Sequence, residues 1–255
     1  MYRKRHITVF YPVLLAITGV VSLPLEGSER HPSLAALIHR SVPPPGAQIH
    51  TVVLGERFRA GSLKKWLYGN DYRHFWLTPI EVQVLDLDAV GGGLNPKRTG
   101  GFGQSVSLQF RGEDGLPYMV RSIDKDPTKR LWEELKNSVV EDVLQDQISA
   151  LFPTGALVVE ALMDRLGILH TKQTLVVIPD HPRLGKFRKN FAGLIGALQL
   201  HPDDGPDDTP GFAGSRAVES TEGPWENLAK GPEHRVDARE FLRARLLDIL
   251  INDKD

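Results

Sequence analysis

Residues 80–87 read Ile-Glu-Val-Gln-Val-Leu-Asp-Leu. Ile80, Val82 and Val84 alternate with Glu81 and Gln83 before the run merges into Leu85 and Leu87, which is the two-residue period of a half-buried strand. The same period returns in residues 106–110 (VSLQF). After the turn Gly-Glu-Asp-Gly at 112–115 it returns again in residues 118–123 (YMVRSI). Between the first and second runs lies the glycine-rich stretch 99–104 (TGGFGQ). The predicted order is therefore strand, glycine-rich loop, strand, tight turn, strand, with Lys125 at the end of the third strand.

Helical periods follow. In residues 138–151 (SVVEDVLQDQISAL), Val139, Val140, Val143, Leu144, Ile148 and Leu151 share one side. Glu141, Asp142, Gln145 and Asp146 share the other, the solvent side by this reading. Residues 155–166 form a second helical segment that stops at Gly167, a natural C-terminal cap. Residues 175–178 (LVVI) read as a buried strand stopped by Pro179, whereas 191–200 (FAGLIGALQL) fits either type. Residues 201–214 are an acidic, proline- and glycine-rich loop. The last helix starts at a capping-box-like Asp-Ala-Arg-Glu (237–240) and keeps Leu242, Leu246, Ile249 and Leu250 on one apolar face. A sheet of hairpin-connected strands followed by helices makes this an α+β chain.

Upstream, residues 1–6 (MYRKRH) are basic and residues 7–25 (ITVFYPVLLAITGVVSLPL) carry no charged side chain. That is the order of a secretory signal, and the run also has the roughly 17–25 residues of a membrane-spanning helix. Residues 1–25 are accordingly a signal peptide or anchor. The cationic N-terminal side sends the rest of the chain out of the cytoplasm, with membrane contact through residues 7–25. Residues 26–50, with Pro43-Pro44-Pro45-Gly46, read as a linker with little fixed structure. With 31 basic against 32 acidic residues and a net charge of −1, there is no field to attract nucleic acid. No cysteine is present, which excludes disulfides, thiolate catalysis and Cys-ligated zinc. An exported chain without disulfides fits a bacterial envelope better than an animal secretory pathway.

Gly100, Gly101 and Gly103 sit between two strands, so they fit neither the dinucleotide fingerprint nor the phosphate loop of nucleotide hydrolases. A glycine turn between strands is how protein kinases cover nucleotide phosphates, with a lysine on the third strand and an acid on the next helix. Lys125 would take the first place and one of Glu141, Asp142 and Asp146 the second, among which periodicity does not choose and Glu141 stands as the candidate, although a bare glycine hairpin and a solvated helix face read identically. The last helix runs into Asn252-Asp253-Lys254-Asp255, where a kinase-like fold carries its catalytic loop. None of the nine histidines falls in a His-x-x-x-His spacing, so the sequence predicts no metal site and a metal-dependent hydrolase ranks last.

These residues resemble a family of uncharacterised exported bacterial proteins with a kinase-like domain, sometimes fused to calcineurin-like metallophosphoesterase or outer-membrane barrel segments. The resemblance rests on Arg59-Ala-Gly-Ser-Leu63, Asp71-Tyr-Arg73, Gly92-Gly-Leu94, Arg121-Ser-Ile-Asp-Lys-Asp-Pro127, 142–149 (DVLQDQIS), 175–180 (LVVIPD), 182–185 (PRLG) and 236–251. It implies a kinase-like antiparallel N-lobe over 51–180 and a partial helical C-lobe over 181–255. The family's final helix leads into a segment of the type Gly-Asp-Trp-Asp-Arg-His, similar to the lipid-kinase-like and HipA-like catalytic loop. Asn252 replaces its Gly and Lys254 its Trp, while Asp253 and Asp255 keep the two acids as vestigial catalytic candidates. The Arg-His pair and all that follows it are missing, so the resemblance implies a truncated, inactive kinase-like domain. Nucleotide with magnesium is the ligand it implies. Because a periplasm holds little free nucleotide, the exported fold would need another phosphate donor or a binding role. The rival expectation is an envelope binding module in which the glycine hairpin and residues 71–76 contact a partner without nucleotide.

Overall fold

The alternation at the start of residues 80–87 forms a strand, and that strand sits second from one edge of a seven-stranded sheet. The computed structural model describes residues 38–100, 104–205, 209–219 and 222–253. In chain order these carry β1 (Ile49–Val52), α1 (Ser62–Tyr68), α2 (Arg73–Leu77), β2 (Ile80–Val84), β3 (Leu94–Gly100), β4 (Ser107–Gly112) and β5 (Pro117–Ser122). They continue with α3 (Val139–Gln147), α4 (Gly155–Leu166), β6 (Gln173–Val177), α5 (Arg188–Phe191), β7 (Ile195–Leu200), α6 (Glu222–Lys230) and α7 (Ala238–Ile251). The spatial order is β1-β2-β6-β7-β5-β4-β3. Only β2 and β6 run parallel; the other neighbours are antiparallel. The chain is α+β.

The strand that either period would have allowed, β7, is central. It pairs with β5 on one side and β6 on the other. Its composition explains the ambiguity: Gly196 breaks the apolar run, and a Cβ there would lie 2.6 Å from the Arg121 carbonyl oxygen. Glycine is what lets β5 approach this closely. A boundary at residue 180 therefore falls inside one sheet, and 181–255 is not purely helical.

Both faces of the sheet are covered. On one, Leu108, Phe110, Val120 and Val176 pack with Leu184, Phe191 and Leu194 from the connection between β6 and β7. On the other, Val82, Val177, Ile195 and Ala197 pack with Phe58, Trp76 and Ile148. Adjacent Val176 and Val177 serve opposite faces, as the strand period requires.

Residues 38–50 depart from the linker expectation. Ile38 is buried in the first core cluster, Arg40 bridges Leu194, and the Ser41 N–H donates to the Gly193 carbonyl at 2.8 Å. An apolar side chain and backbone donors that find partners outweigh the proline-rich composition. Residues 1–25 lie outside the described residues. Among the described residues no helix is long and apolar enough to cross a membrane.

The helix caps agree with the sequence. The Asp237 carboxylate accepts from the Arg239 and Glu240 N–H groups, and Gly167 ends α4 at φ 64. The face of α7 does not agree. Its inward residue is Leu247, whereas Leu242, Leu246, Ile249 and Leu250 are exposed. The helix docks through the strip containing Arg243, Ala244, Leu247 and Asp248 and turns its apolar stripe to solvent.

The packing separates two substitutions. Phe191→Ala, in the core, is expected to destabilise by about 3–5 kcal/mol in urea unfolding. Ile249→Ala, on the exposed stripe, is expected to change stability by less than about 0.5 kcal/mol.

Candidate functional site

The loop leaving β5 is built on buried polar groups. Asp124 and Asp126 are buried there, together with Ser122 and Thr128. The Asp124 carboxylate accepts the His39 N–H at 3.0 Å, the Lys125 N–H at 2.8 Å and the Arg57 guanidinium. Burial is the largest influence on this carboxyl and pushes its pKa up, against the Arg57 charge and the two N–H donors. Burial likewise lowers the Arg57 pKa, and the nearby Asp124 and Asp126 charges oppose it. Asp126 accepts from the N–H and the hydroxyl of Thr128.

This network holds the backbone of Lys125. Its N–H donates to Asp124, and its carbonyl accepts from Arg57 Nη2 at 2.9 Å and from Gln145 Nε2 of α3 at 3.1 Å. The residue is half-buried. Among the described residues no carboxylate pairs with its ammonium.

Gly100 and Gln104, which flank the other glycines, are both held by backbone contacts. Gly100 closes β3 opposite Ser107, and the Asp126 N–H donates to the Gln104 carbonyl at 2.7 Å. The Val106 N–H and Ser122 Oγ join the two sides at 2.9 Å. Gly101 and Gly103 lie outside the described residues. The Gln104 end is thus bonded to the segment that carries Lys125, and Gly100 is held against β4.

Glu141 does not complete the set. Its carboxylate accepts the Asn137 N–H at 2.5 Å, while Ser138 caps the helix through the Val140 N–H. A first-turn acid is drawn to the unpaired N–H groups of its own helix start. Gln145, one turn later, makes the contact to Lys125. Among the described residues Lys125 and Glu141 form no ion pair.

Asp146, expected on the solvent side of that helix, is buried instead. Arg73 grips it with both terminal nitrogens, and Lys64 Nζ lies 2.8 Å from Oδ1. Arg73 also donates to the Gly69 carbonyl at 2.9 Å and the Phe58 carbonyl at 3.2 Å. Arg73 and Trp76 are therefore interior, whereas Asp71, Tyr72, His74 and Phe75 of that stretch are exposed. Periodicity could not reveal this pair, because the two residues are 73 positions apart.

At the C-terminus, Asn252 takes φ 57, a left-handed conformation that glycine or asparagine adopts most readily. An Asn meets that backbone demand without a glycine. The Asp253 N–H donates to the Asp248 carbonyl at 2.8 Å. Asp255 lies outside the described residues.

A separate open cleft of about 860 Å³ is lined by His39, Arg40, Lys186, Arg188 and Lys189 against one carboxylate, Asp180. Arg188 holds Asp180 with two hydrogen bonds, which lower the Asp180 pKa. Arg40 donates to the Lys189 carbonyl at 2.8 Å. The cleft keeps an excess of positive charge.

The chain matches no protein-family model, no curated protein and no solved structure.

The Arg73–Asp146 pair yields a pH test. Burial opposes the Asp146 carboxylate, but hydrogen bonds from Arg73 and Lys64 and their charges hold its pKa below the ordinary 3.8. A lowered folded-state pKa means the ionised group stabilises the fold above 3.8, and this stability is lost as pH falls through the lowered value. Asp146→Asn leaves Arg73 buried without its counter-charge, which costs about 3–5 kcal/mol at neutral pH. The difference between wild type and variant in urea unfolding is expected to shrink as the pH drops below that value.

Proposed function

We propose that this chain is an exported, kinase-like binding module that takes a phosphate-bearing ligand at the glycine turn and Lys125, without transferring phosphate. The clamped backbone of Lys125 carries this reading. Three hydrogen bonds hold the residue, and its ammonium has no carboxylate partner among the described residues. A lysine held this way supplies a cation for phosphate oxygens, and the glycines at 100, 101 and 103 carry no side chain that would hold an anion off their backbone. Transfer needs more. It requires positioned metal ions and a base near the nucleophile, and the base candidates here, Asp253 and Asp255, are only the vestigial pair that the resemblance supplies. Export rests on the basic start and the apolar run 7–25.

Thermal unfolding of the full chain tests the site. Magnesium-ATP or pyrophosphate is expected to raise the melting temperature of wild type but not of Lys125→Ala. That substitution alone should cost less than about 1 kcal/mol. An unresponsive wild type, or an equal response in the variant, rules the site out. Transfer of phosphate from ATP by the purified 255 residues would refute the non-catalytic part.

The basic cleft favours a second reading, an envelope module that holds a polyanion without nucleotide. There, the double variant Lys186→Ala/Lys189→Ala would lose polyphosphate binding at least about tenfold, because phosphate contacts dominate such affinities, and Lys125→Ala would keep it.

A further inference from the structure

The C-terminal half of α4 and the chain just beyond it bring together Glu160, Asp164 and His170, whose ligating atoms all lie within 4.8 Å of one another. Glu160 and Asp164 are four residues apart and so share one face of the helix. Gly167 then turns the chain back at φ 64, which returns His170 to that face.

The histidine is prepared in a specific way. Its Nδ1 lies 2.7 Å from the Ile168 carbonyl oxygen. A carbonyl only accepts, so Nδ1 carries the proton. In the neutral ring Nε2 then presents a lone pair. That nitrogen is buried without a hydrogen-bond partner, and it lies 3.6 Å from Asp164 Oδ1. Metal-ligating histidines show this arrangement, with one nitrogen held by a backbone carbonyl and the other free to bind. Glu160 is also oriented, because one of its oxygens accepts the Gln173 N–H at 2.6 Å where β6 begins.

The geometry points to a divalent metal site formed by Glu160, Asp164 and His170. With bonds of about 2.0–2.2 Å, tetrahedral ligands stand about 3.4 Å apart, close to the 3.6 Å between His170 and Asp164. Glu160 closes the rest by rotating about its side-chain bonds. One imidazole and two carboxylates select zinc, cobalt or manganese over magnesium and calcium, which prefer all-oxygen shells. Lys172 Nζ, 3.8 Å from Asp164 Oδ2, is the competing cation and sits exposed at the rim. Bound metal would tie the last turns of α4 to the start of β6.

Cobalt titration of the chelator-treated full chain tests this. One equivalent is expected to produce visible d–d absorption that zinc abolishes. Zinc at about a hundredfold over Kd should raise the melting temperature by about 5–10 °C. Asp164→Asn, an exposed substitution that leaves the fold intact, and His170→Ala should both lose absorption and shift, whereas Lys172→Ala should keep or tighten binding. Absence of cobalt absorption in wild type overturns the site. So does absorption that persists in Asp164→Asn or His170→Ala, since the metal would then sit elsewhere.

Discussion

The buried carboxylate of Asp124 is the constraint on which the rest depends. A charge removed from water is tolerated only if donors replace its hydration, and Asp124 draws them from three separate segments. His39 comes from the chain before β1, Arg57 from the short 3-10 turn at Glu56–Phe58, and the Lys125 N–H from the loop after β5. None of the three can move away without leaving a buried charge underpaired. The N-terminal approach is thereby fastened to the sheet, and Lys125 receives a fixed backbone as a by-product.

Asp146 does the same for the helices. Arg73 reaches it from α2 while bonding the Phe58 and Gly69 carbonyls, and the Trp76 indole N–H donates to the Leu151 carbonyl at 2.8 Å. Asp146 thus pins the elements beside Phe58, Trp76 and Ile148 on one face of the sheet, whereas the opposite face is closed by apolar packing of Leu184, Phe191 and Leu194. Packing tolerates many substitutions of similar volume; a buried ion pair does not tolerate loss of one partner. The loop that carries Lys125 is held by the stricter rule, through Asp124 and Arg57.

Much of the local structure was readable in the residues. The strands at 80–84, 107–112 and 117–122 follow from a period of two, the hairpin from Gly112 to Gly115, and the ends of α4 and α7 from Gly167 and Asp237. Of the candidate site, Lys125 was placed just past a strand that the alternation locates, whereas Gly100, read as part of a loop, ends β3 (Leu94–Gly100), a strand without a two-residue apolar period. Glu141 was not the right partner, since its carboxylate answers a local demand at the start of α3. Asp146 read as a solvent-side acid because helical period assigns faces by neighbours in sequence, and Arg73 is no neighbour.

What the sequence by itself determined is therefore the three alternating strands and the turn between the last two, and the helices at 139–147, 155–166 and 238–251 with the caps at Gly167 and Asp237, because these depend on side chains within a few positions of one another. Only the tertiary structure decided that residues 195–200 lie at the centre of the sheet, that residues 38–50 are docked, that α7 turns its apolar stripe outward, and that Asp124 and Asp146 are interior. Each of those outcomes depends on partners tens of residues away, which neither hydrophobic period nor local propensity encodes.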